Sequence, residues 1–138
     1  MSKVLGIDYG TVRIGLAITD SARIIASPHE TIDSRGAIDY LKKLVVKEKI
    51  SEIVVGEAKR LNGEPSEITI LQAEFVKKLC NAIPGIVVHR MNEMYTSKMA
   101  AQSMLTSGLK QSVRRNKGTL DKMSAAILLQ SWLDYQQG

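Results

Sequence analysis

The chain has 138 residues, of which 44% are hydrophobic and 24% are charged, and these values predict one soluble globular domain spanning residues 1–138. The single cysteine, Cys80, excludes an internal disulfide, and no stretch approaches the ~20 apolar residues that cross a membrane as a helix. The net charge of +5 favours an anionic partner. The chain starts directly in a predicted strand without a signal peptide, so we expect a cytoplasmic protein with no membrane partner.

The first predicted element is a strand pair within residues 3–20, which read KVLGIDYGTVRIGLAITD. An apolar run precedes a glycine-bearing turn at residues 9–11, and apolar residues then alternate with small ones. A third strand is predicted within residues 23–32, where Pro28 restricts the strand to a sheet edge or a bulge. These three strands would form an antiparallel meander.

Helices and buried strands alternate in the middle of the chain. The pair Asp33-Ser34 offers a helix start, and apolar residues at helical spacing follow it as far as Val45. A short apolar run that ends at Gly56 then predicts a buried parallel strand. The buried face of a second helix is marked by Ile68, Leu71, Phe75 and Leu79.

The last third of the chain predicts one more strand and two helices. The apolar run at residues 86–88 indicates a buried strand that runs toward Glu93. Residues 94–107 have helical spacing, and residues 120–135 predict the final helix with Thr119 as its N-cap. In this order the elements predict an α/β fold with a mixed, five-stranded central sheet and helices on both faces.

Three of the fourteen acidic residues occupy positions that suit chemistry. Asp8 ends the first strand, Glu93 follows the last strand, and Asp121 opens the last helix on the stripe that should face the sheet. Strand ends and a helix packed on them can converge at one sheet edge, where α/β proteins place their sites. A structural interpretation stays open for each acid, because turns favour Asp and helix N-termini favour either acid.

Three converging carboxylates without a His or Cys cluster suit a hard divalent cation. One or two ions of Mg²⁺ or Mn²⁺, held by Asp8, Glu93 and Asp121, fit this set better than zinc does. His29 and His89 are isolated in the sequence, and we interpret them as ordinary surface or turn histidines. Such ions beside a basic segment would support hydrolysis of a phosphodiester bond.

A basic segment at residues 108–118 shows little periodicity and carries Lys110, Arg114, Arg115 and Lys117. Beside a carboxylate site, these side chains would bind backbone phosphates without reading the base sequence. A solvated surface excursion is an equally good interpretation of the same residues. Nucleic acid is therefore the predicted partner, on the combined pattern of acids and bases.

The N-terminal segment GIDYGTVRIGLAITD closely resembles the signature of the YqgF (RuvX-like) family, within the ribonuclease H-like superfamily. The resemblance covers nearly the whole chain, through VVG at residues 54–56, NEMYT at residues 92–96 and KGTLDKMSAAILLQSWLD at residues 117–134. The first and last motifs together are specific for the family, whereas the two middle motifs are weak indicators of it. Members of this family are described as nucleases for the 5′ end of pre-16S ribosomal RNA and as candidate Holliday junction resolvases.

The resemblance implies a ribonuclease H-like fold and assigns roles to single residues. It implies that Asp8, Glu93 and Asp121 are the catalytic and metal-binding acids. It also implies that Arg13 lies near the nucleic acid and that Gly10 is the turn residue beside the metal.

Two positions depart from the family pattern. Asn92 stands where the family usually has Asp, and the loss of one negative charge is expected to weaken the affinity for a metal ion. Glu57-Ala58 stands where the family usually has an apolar residue and proline, so the loop after the strand is expected to be less rigid. Neither change touches the three acids.

Three functions stay open on the sequence alone. The favoured one is a metal-dependent endonuclease, acting as a monomer, that processes the 5′ end of pre-16S rRNA in ribosome biogenesis. The second is a Holliday junction resolvase, which should be a two-fold dimer, although no dimer helix is obvious. The third is a nucleic-acid-binding module without catalysis. The turn at residues 8–11 also resembles those of actin-like ATPases and sugar kinases, but these need two such domains to enclose ATP.

Overall fold

The computed structural model describes residues 2–57, 67–92 and 117–137. The strands within these ranges are β1 (Lys3–Tyr9), β2 (Arg13–Thr19), β3 (Ala26–Asp33), β4 (Ile50–Glu57) and β5 (Val87–Asn92). The helices there are α1 (Ala37–Glu48), α2 (Glu67–Ala82) and α3 (Lys117–Gln137). None of these helices is both long enough and apolar enough to cross a membrane.

The strands form one mixed sheet in the order β3-β2-β1-β4-β5. β2 pairs antiparallel with both β1 and β3, whereas β4 lies parallel to β1 and β5 lies parallel to β4. A parallel pair needs a long crossover, and α2 lies in the chain between β4 and β5. The predicted meander and the predicted five-stranded mixed sheet are both confirmed.

One face of the sheet is covered by α1 and α2. Alternate residues of the central strands point to this face, because successive side chains on a strand point to opposite sides. Each fully buried Leu or Ile contributes roughly 1.5–3 kcal/mol relative to an exposed one. The main residues of this cluster are Leu5, Ile7, Ile14, Leu16, Ile53 and Val55 from the strands and Leu41, Leu44, Phe75 and Leu79 from the helices.

The opposite face of the sheet is covered by α3. The intervening strand residues, among them Val4 and Val54, form a second buried cluster with Ala125, Leu128 and Leu129 of this helix. The apolar stripe predicted for the last helix therefore does face the sheet. Helices lie on both faces, as the element order predicted.

The edge strand β3 contains the bulge that Pro28 predicted. Leu16 of β2 pairs with Glu30, and the next residue, Ala17, pairs with Pro28. His29 is therefore the extra residue of a bulge, which is where a strand tolerates proline.

The predicted helix start at Asp33-Ser34 is wrong. β3 continues to Asp33, and α1 begins at Ala37 after Gly36, which has a φ of 76°. Glycine adopts this left-handed conformation without steric cost. Asp33 instead accepts hydrogen bonds from the backbone N–H and the guanidinium of Arg35.

Three smaller predictions also need correction. Leu71 of α2 is 38% exposed and Gln72 is 1% exposed, because positions 72, 75 and 79 share the face that packs on the sheet. β5 is a half-buried edge strand, and Val87 is 48% exposed there. α3 begins at Lys117, so Thr119 lies inside the helix and is not its N-cap. The helix predicted at residues 94–107 lies outside the described residues.

Candidate functional site

The carboxyl end of β1 brings Asp8 to the face of the sheet that α3 covers. Val4, four residues earlier on the same strand, packs in the cluster under α3, and strand residues four apart point to the same face. Asp8 pairs directly with Gly15 of β2, and it is half-buried. A carboxylate of β1 therefore lies at the rim of the sheet.

Gly15 allows the first part of α3 to lie directly on β2. A Cβ atom on Gly15 would be 2.0 Å from the carbonyl oxygen of Asp121 and 2.2 Å from its carbonyl carbon. Asp121 therefore lies against the residue that pairs with Asp8. The structure places these two predicted acids, from opposite ends of the chain, at neighbouring positions.

A second glycine, Gly6, allows α3 to pack closely on β1. A Cβ atom on Gly6 would be 2.8 Å from the Cβ of Leu129 and 3.0 Å from the carbonyl oxygen of Ala125. Gly6 and Gly15 lie on the same face of adjacent strands, since Gly6 pairs with Ala17. Neither close approach was predicted from the sequence, although a glycine inside a strand is a signal for close backbone approach.

Arg13 lies on the same face of β2 and contacts one of the two acids, Asp121. Its Nε donates a hydrogen bond to Oδ2 of Asp121 at 2.9 Å, and the two side chains are 40% and 28% exposed. An ion pair this exposed contributes roughly 0–1 kcal/mol to stability. The ion pair matters more for the charge of the site, because the positive Arg13 guanidinium contacts the negative Asp121 carboxylate.

The turn between β1 and β2 is tight, and Ser34 stabilises it through two hydrogen bonds. A Cβ atom on Gly10 would be 2.6 Å from the carbonyl oxygen of Arg13, so this position requires glycine. The backbone N–H of Ser34 donates to the carbonyl of Val12 at 2.9 Å, and the Ser34 hydroxyl donates to the carbonyl of Thr11 at 2.7 Å. The segment after β3 therefore holds the turn that carries Gly10.

Several predicted site residues lie outside the part of the chain that the structure describes. Glu93, Lys110, Arg114 and Arg115 belong to this group, and Lys117 is described only as the first residue of α3. Across residues 2–57, 67–92 and 117–137, no group of three or more His, Cys, Asp or Glu side chains is placed to hold a metal ion. Of the three predicted acids, the structure therefore describes Asp8 and Asp121.

A polar network at the other end of β4 was missed, and His89, interpreted as an ordinary surface or turn histidine, lies in β5 and belongs to this network. Nε2 of His89 lies 2.9 Å from Oε1 of Glu52, and its ring centroid is 4.9 Å from that of Trp132. Arg23 pairs with the other carboxylate oxygen of Glu52 and donates to the backbone carbonyl of Ser2. The pKa of Glu52 is lowered, chiefly by the hydrogen bond with His89, against an opposing effect of burial.

Comparison with known families gives one match over almost the whole chain. The family model described as "RuvX: Holliday junction resolvase" matches residues 2–135. A protein of Flavobacterium psychrophilum is 46% identical over 133 residues, which cover 96% of this chain and 97% of the relative. A protein of Christiangramia forsetii is 41% identical over 133 residues, which cover 96% and 98% of the two chains. Both relatives are named "Putative pre-16S rRNA nuclease".

Two solved structures of low sequence identity share the architecture. RuvC of T. thermophilus, in complex with a Holliday junction substrate, aligns with a TM-score of 0.63 at 16% identity and covers 100% of this chain and 97% of its own. The yeast mitochondrial Holliday junction resolvase Ydc2 aligns with a TM-score of 0.61 at 12% identity, covering 99% and 79%. The predicted ribonuclease H-like fold is confirmed by these neighbours.

Proposed function

Because the chain belongs to the RuvX family, described as Holliday junction resolvases, we propose that it is a nuclease that hydrolyses phosphodiester bonds. Its proposed substrate is the precursor of 16S rRNA, cut at the 5′ end during ribosome biogenesis in the cytoplasm. Relatives with up to 46% identity carry the pre-16S rRNA name, whereas the solved resolvases share 16% identity or less and support the fold alone.

One observation carries the proposal, namely the convergence of Asp8 and Asp121 on Gly15. Gly15 pairs with Asp8 across the strands, and its missing Cβ leaves the space that the backbone of Asp121 fills. Carboxylates that lie close together repel each other unless a cation lies near them. A nuclease uses such a pair to hold a cation against the phosphodiester.

The donor set fits a hard divalent cation. Mg²⁺ and Mn²⁺ prefer carboxylate oxygens, and we propose Asp8 and Asp121 as ligands, with Glu93 as the third. Glu93 is the residue that follows the last residue of β5. When bound, such an ion activates water and stabilises the negative charge of the transition state.

Arg13 and the basic segment supply the proposed contacts to nucleic acid. The Arg13 guanidinium orients Asp121 through the 2.9 Å contact, and it lies at the rim where a phosphate would approach. Lys110, Arg114, Arg115 and Lys117 are proposed to bind flanking phosphates, which would make binding dependent on salt but not on base sequence.

Cleavage of a pre-16S rRNA fragment with Mn²⁺ tests the proposal. We expect the wild-type protein to cut near the mature 5′ end and Asp8→Asn to abolish cutting while keeping the wild-type melting temperature. Asp39→Asn is the matched control, because Asp39 is exposed on α1. A wild-type protein that cuts neither this RNA nor branched DNA, and that shows no heat of Mn²⁺ binding, would contradict the proposal.

The same preparation separates the two alternatives. A Holliday junction resolvase would cut a four-way DNA junction symmetrically and prefer it to the RNA. A binding module without catalysis would keep its RNA affinity in Asp8→Asn and show no cleavage in the wild type.

A further inference from the structure

A cavity of about 180 Å³ lies on the α1–α2 side of the sheet, behind the carboxyl end of β1. Its walls include Tyr9 of β1, Ser34 before α1, and Leu71, Glu74, Phe75 and Lys78 of α2. This volume equals that of roughly six water molecules, so the cavity has room for one planar ring system.

The cavity presents one supported aromatic ring. The ring centroids of Tyr9 and Phe75 are 4.8 Å apart with an interplanar angle of 28°. Phe75 is 6% exposed, whereas Tyr9 is half-buried, so Tyr9 is the more accessible of the two stacked rings. Unpaired bases are commonly bound by stacking on such a ring.

The cavity is connected to the carboxylate site through consecutive residues. Tyr9 follows Asp8 in β1, so the two side chains point to opposite faces of the same rim. Adjacent Cα atoms are about 3.8 Å apart, so a nucleic acid strand that crosses this rim would pass both residues. The cavity wall also holds the site turn, since Ser34 donates to the carbonyls of Thr11 and Val12.

One cation and one carboxylate stand at the cavity on α2. Lys78 and Glu74 are exposed, and their spacing of four residues places them side by side on the helix. Lys78 suits a phosphate at the mouth, and Glu74 suits an exocyclic amino group of a base. The cavity therefore combines groups for the ring, the amino edge and the phosphate of one nucleotide.

We propose that this cavity binds one unpaired base of the nucleic acid strand whose backbone lies at Asp8, with the base stacked on Tyr9. The inference rests on the proposed nuclease function and specifies its substrate as a strand that is single-stranded beside the cut. Lys78 contacts the phosphate next to the stacked base.

A scan with abasic RNA tests the subsite in an Asp8→Asn background, where the probe is not cut. The probe is a short fluorescein-labelled single-stranded RNA, and in each copy a different nucleotide lacks its base. We expect binding, measured by fluorescence anisotropy, to weaken about fivefold or more at one position. Tyr9→Leu should cause the same loss with the intact RNA and no further loss with that abasic copy, whereas Tyr9→Phe should bind as the parent does.

Two lysines on α2 provide a matched pair. Lys78→Ala should weaken RNA binding and flatten its salt dependence, whereas Lys77→Ala, an exposed neighbour outside the cavity lining, should change the salt dependence less. Equal effects of the two substitutions would remove Lys78 from the subsite.

The outcomes separate this inference from the proposed function. The subsite is overturned if all abasic copies bind equally well, or if Tyr9→Leu still binds the intact RNA more tightly than the abasic copy to the same extent as its parent. Asp8-dependent cleavage by the wild type would stand in either case. If Tyr9→Leu does not fold, the abasic scan with the Tyr9-containing protein still shows whether the protein binds one particular base. Failure of the wild type to bind any RNA or branched DNA overturns both.

Discussion

At the scale of single residues, Gly15 and Arg13 determine how the two acids meet. Gly15 has no side chain, so the backbone of α3 lies where any other residue would place a Cβ. Arg13, two residues earlier on the same strand, then reaches Asp121 with its guanidinium. The position of Asp121 thus depends on the missing side chain of Gly15 and on the ion pair with Arg13.

Gly15→Ala tests the close approach. We expect the unfolding free energy to fall by about 3 kcal/mol, because the added methyl group forces α3 away from β2. A displacement of Asp121 of this kind should also reduce cleavage about 100-fold. Urea denaturation and the cleavage assay measure the two effects.

Gly36→Ala serves as the control for Gly15→Ala. Gly36 has a positive φ, and no heavy atom of the described residues lies within 4 Å of the point that a Cβ would occupy, so alanine there costs about 1–2 kcal/mol through backbone conformation alone. Its cleavage rate should stay at the wild-type level. Wild-type stability and cleavage in Gly15→Ala would contradict the packing described for α3.

Arg13→Gln should change the affinities for cation and for RNA in opposite directions. Removal of the positive charge beside Asp121 leaves the carboxylates less neutralised, so Mn²⁺ affinity in calorimetry should rise about two- to fivefold. RNA affinity should fall, because one phosphate-binding group is lost. Arg35→Gln is the control, since Arg35 pairs with Asp33 and its side chain is 91% exposed. Unchanged Mn²⁺ affinity in Arg13→Gln would show that the ion pair does not compete with a cation.

At the scale of elements, Glu52 connects parts of the sheet that are distant in sequence. It lies on β4, contacts His89 of β5, and pairs with Arg23 of the turn between β2 and β3. Its carboxylate is therefore more stable in the folded protein than in the unfolded chain, which is why its pKa is lowered.

The lowered pKa of Glu52 makes its contribution to stability dependent on pH. A group with a folded pKa below its unfolded value stabilises the fold above the unfolded value, here 4.5, and loses this contribution as the pH falls through the folded value. Glu52→Gln should cost about 1 kcal/mol at pH 7, and the difference from wild type should shrink below pH 4.5. Urea denaturation across this range measures it, with Glu67→Gln, at the exposed start of α2, as control. A difference that stays constant down to about pH 3 would contradict the assigned network.

At the scale of the whole molecule, the sheet separates two environments. α1 and α2 cover one face and α3 covers the other. The carboxylates lie on the face that α3 covers and the aromatic cavity lies on the face that α2 covers, and both are at the carboxyl end of β1. A strand that crosses this rim would contact both faces at once.

The oligomeric state belongs to this scale. We expect a monomer in light scattering at the concentrations used for cleavage, since within the described residues one rim carries Asp8, Asp121, the Arg13 guanidinium and the cavity. A resolvase needs two such sites related by a two-fold axis. A stable dimer that cuts both strands of a junction in register would favour the resolvase alternative over rRNA processing.

The sequence by itself determined the elements of the fold and the candidate acids. Alternation in β2, the apolar runs of β1 and β4 and the helical stripe of α3 depend only on neighbours in the chain, so they were predicted correctly. The same local reasoning misplaced the start of α1, because Asp33 bonds to Arg35 and Gly36 supplies the turn.

Only the tertiary structure decided which distant residues meet. The register of β1 on β2 and the height of α3 over Gly6 and Gly15 bring Asp121 beside the partner of Asp8, and no local pattern encodes either. The register of β4 and β5 likewise turned His89, isolated in the sequence, into a partner of Glu52. The physical reason is that backbone pairing and close packing are relations between segments, whereas periodicity is a property of one segment.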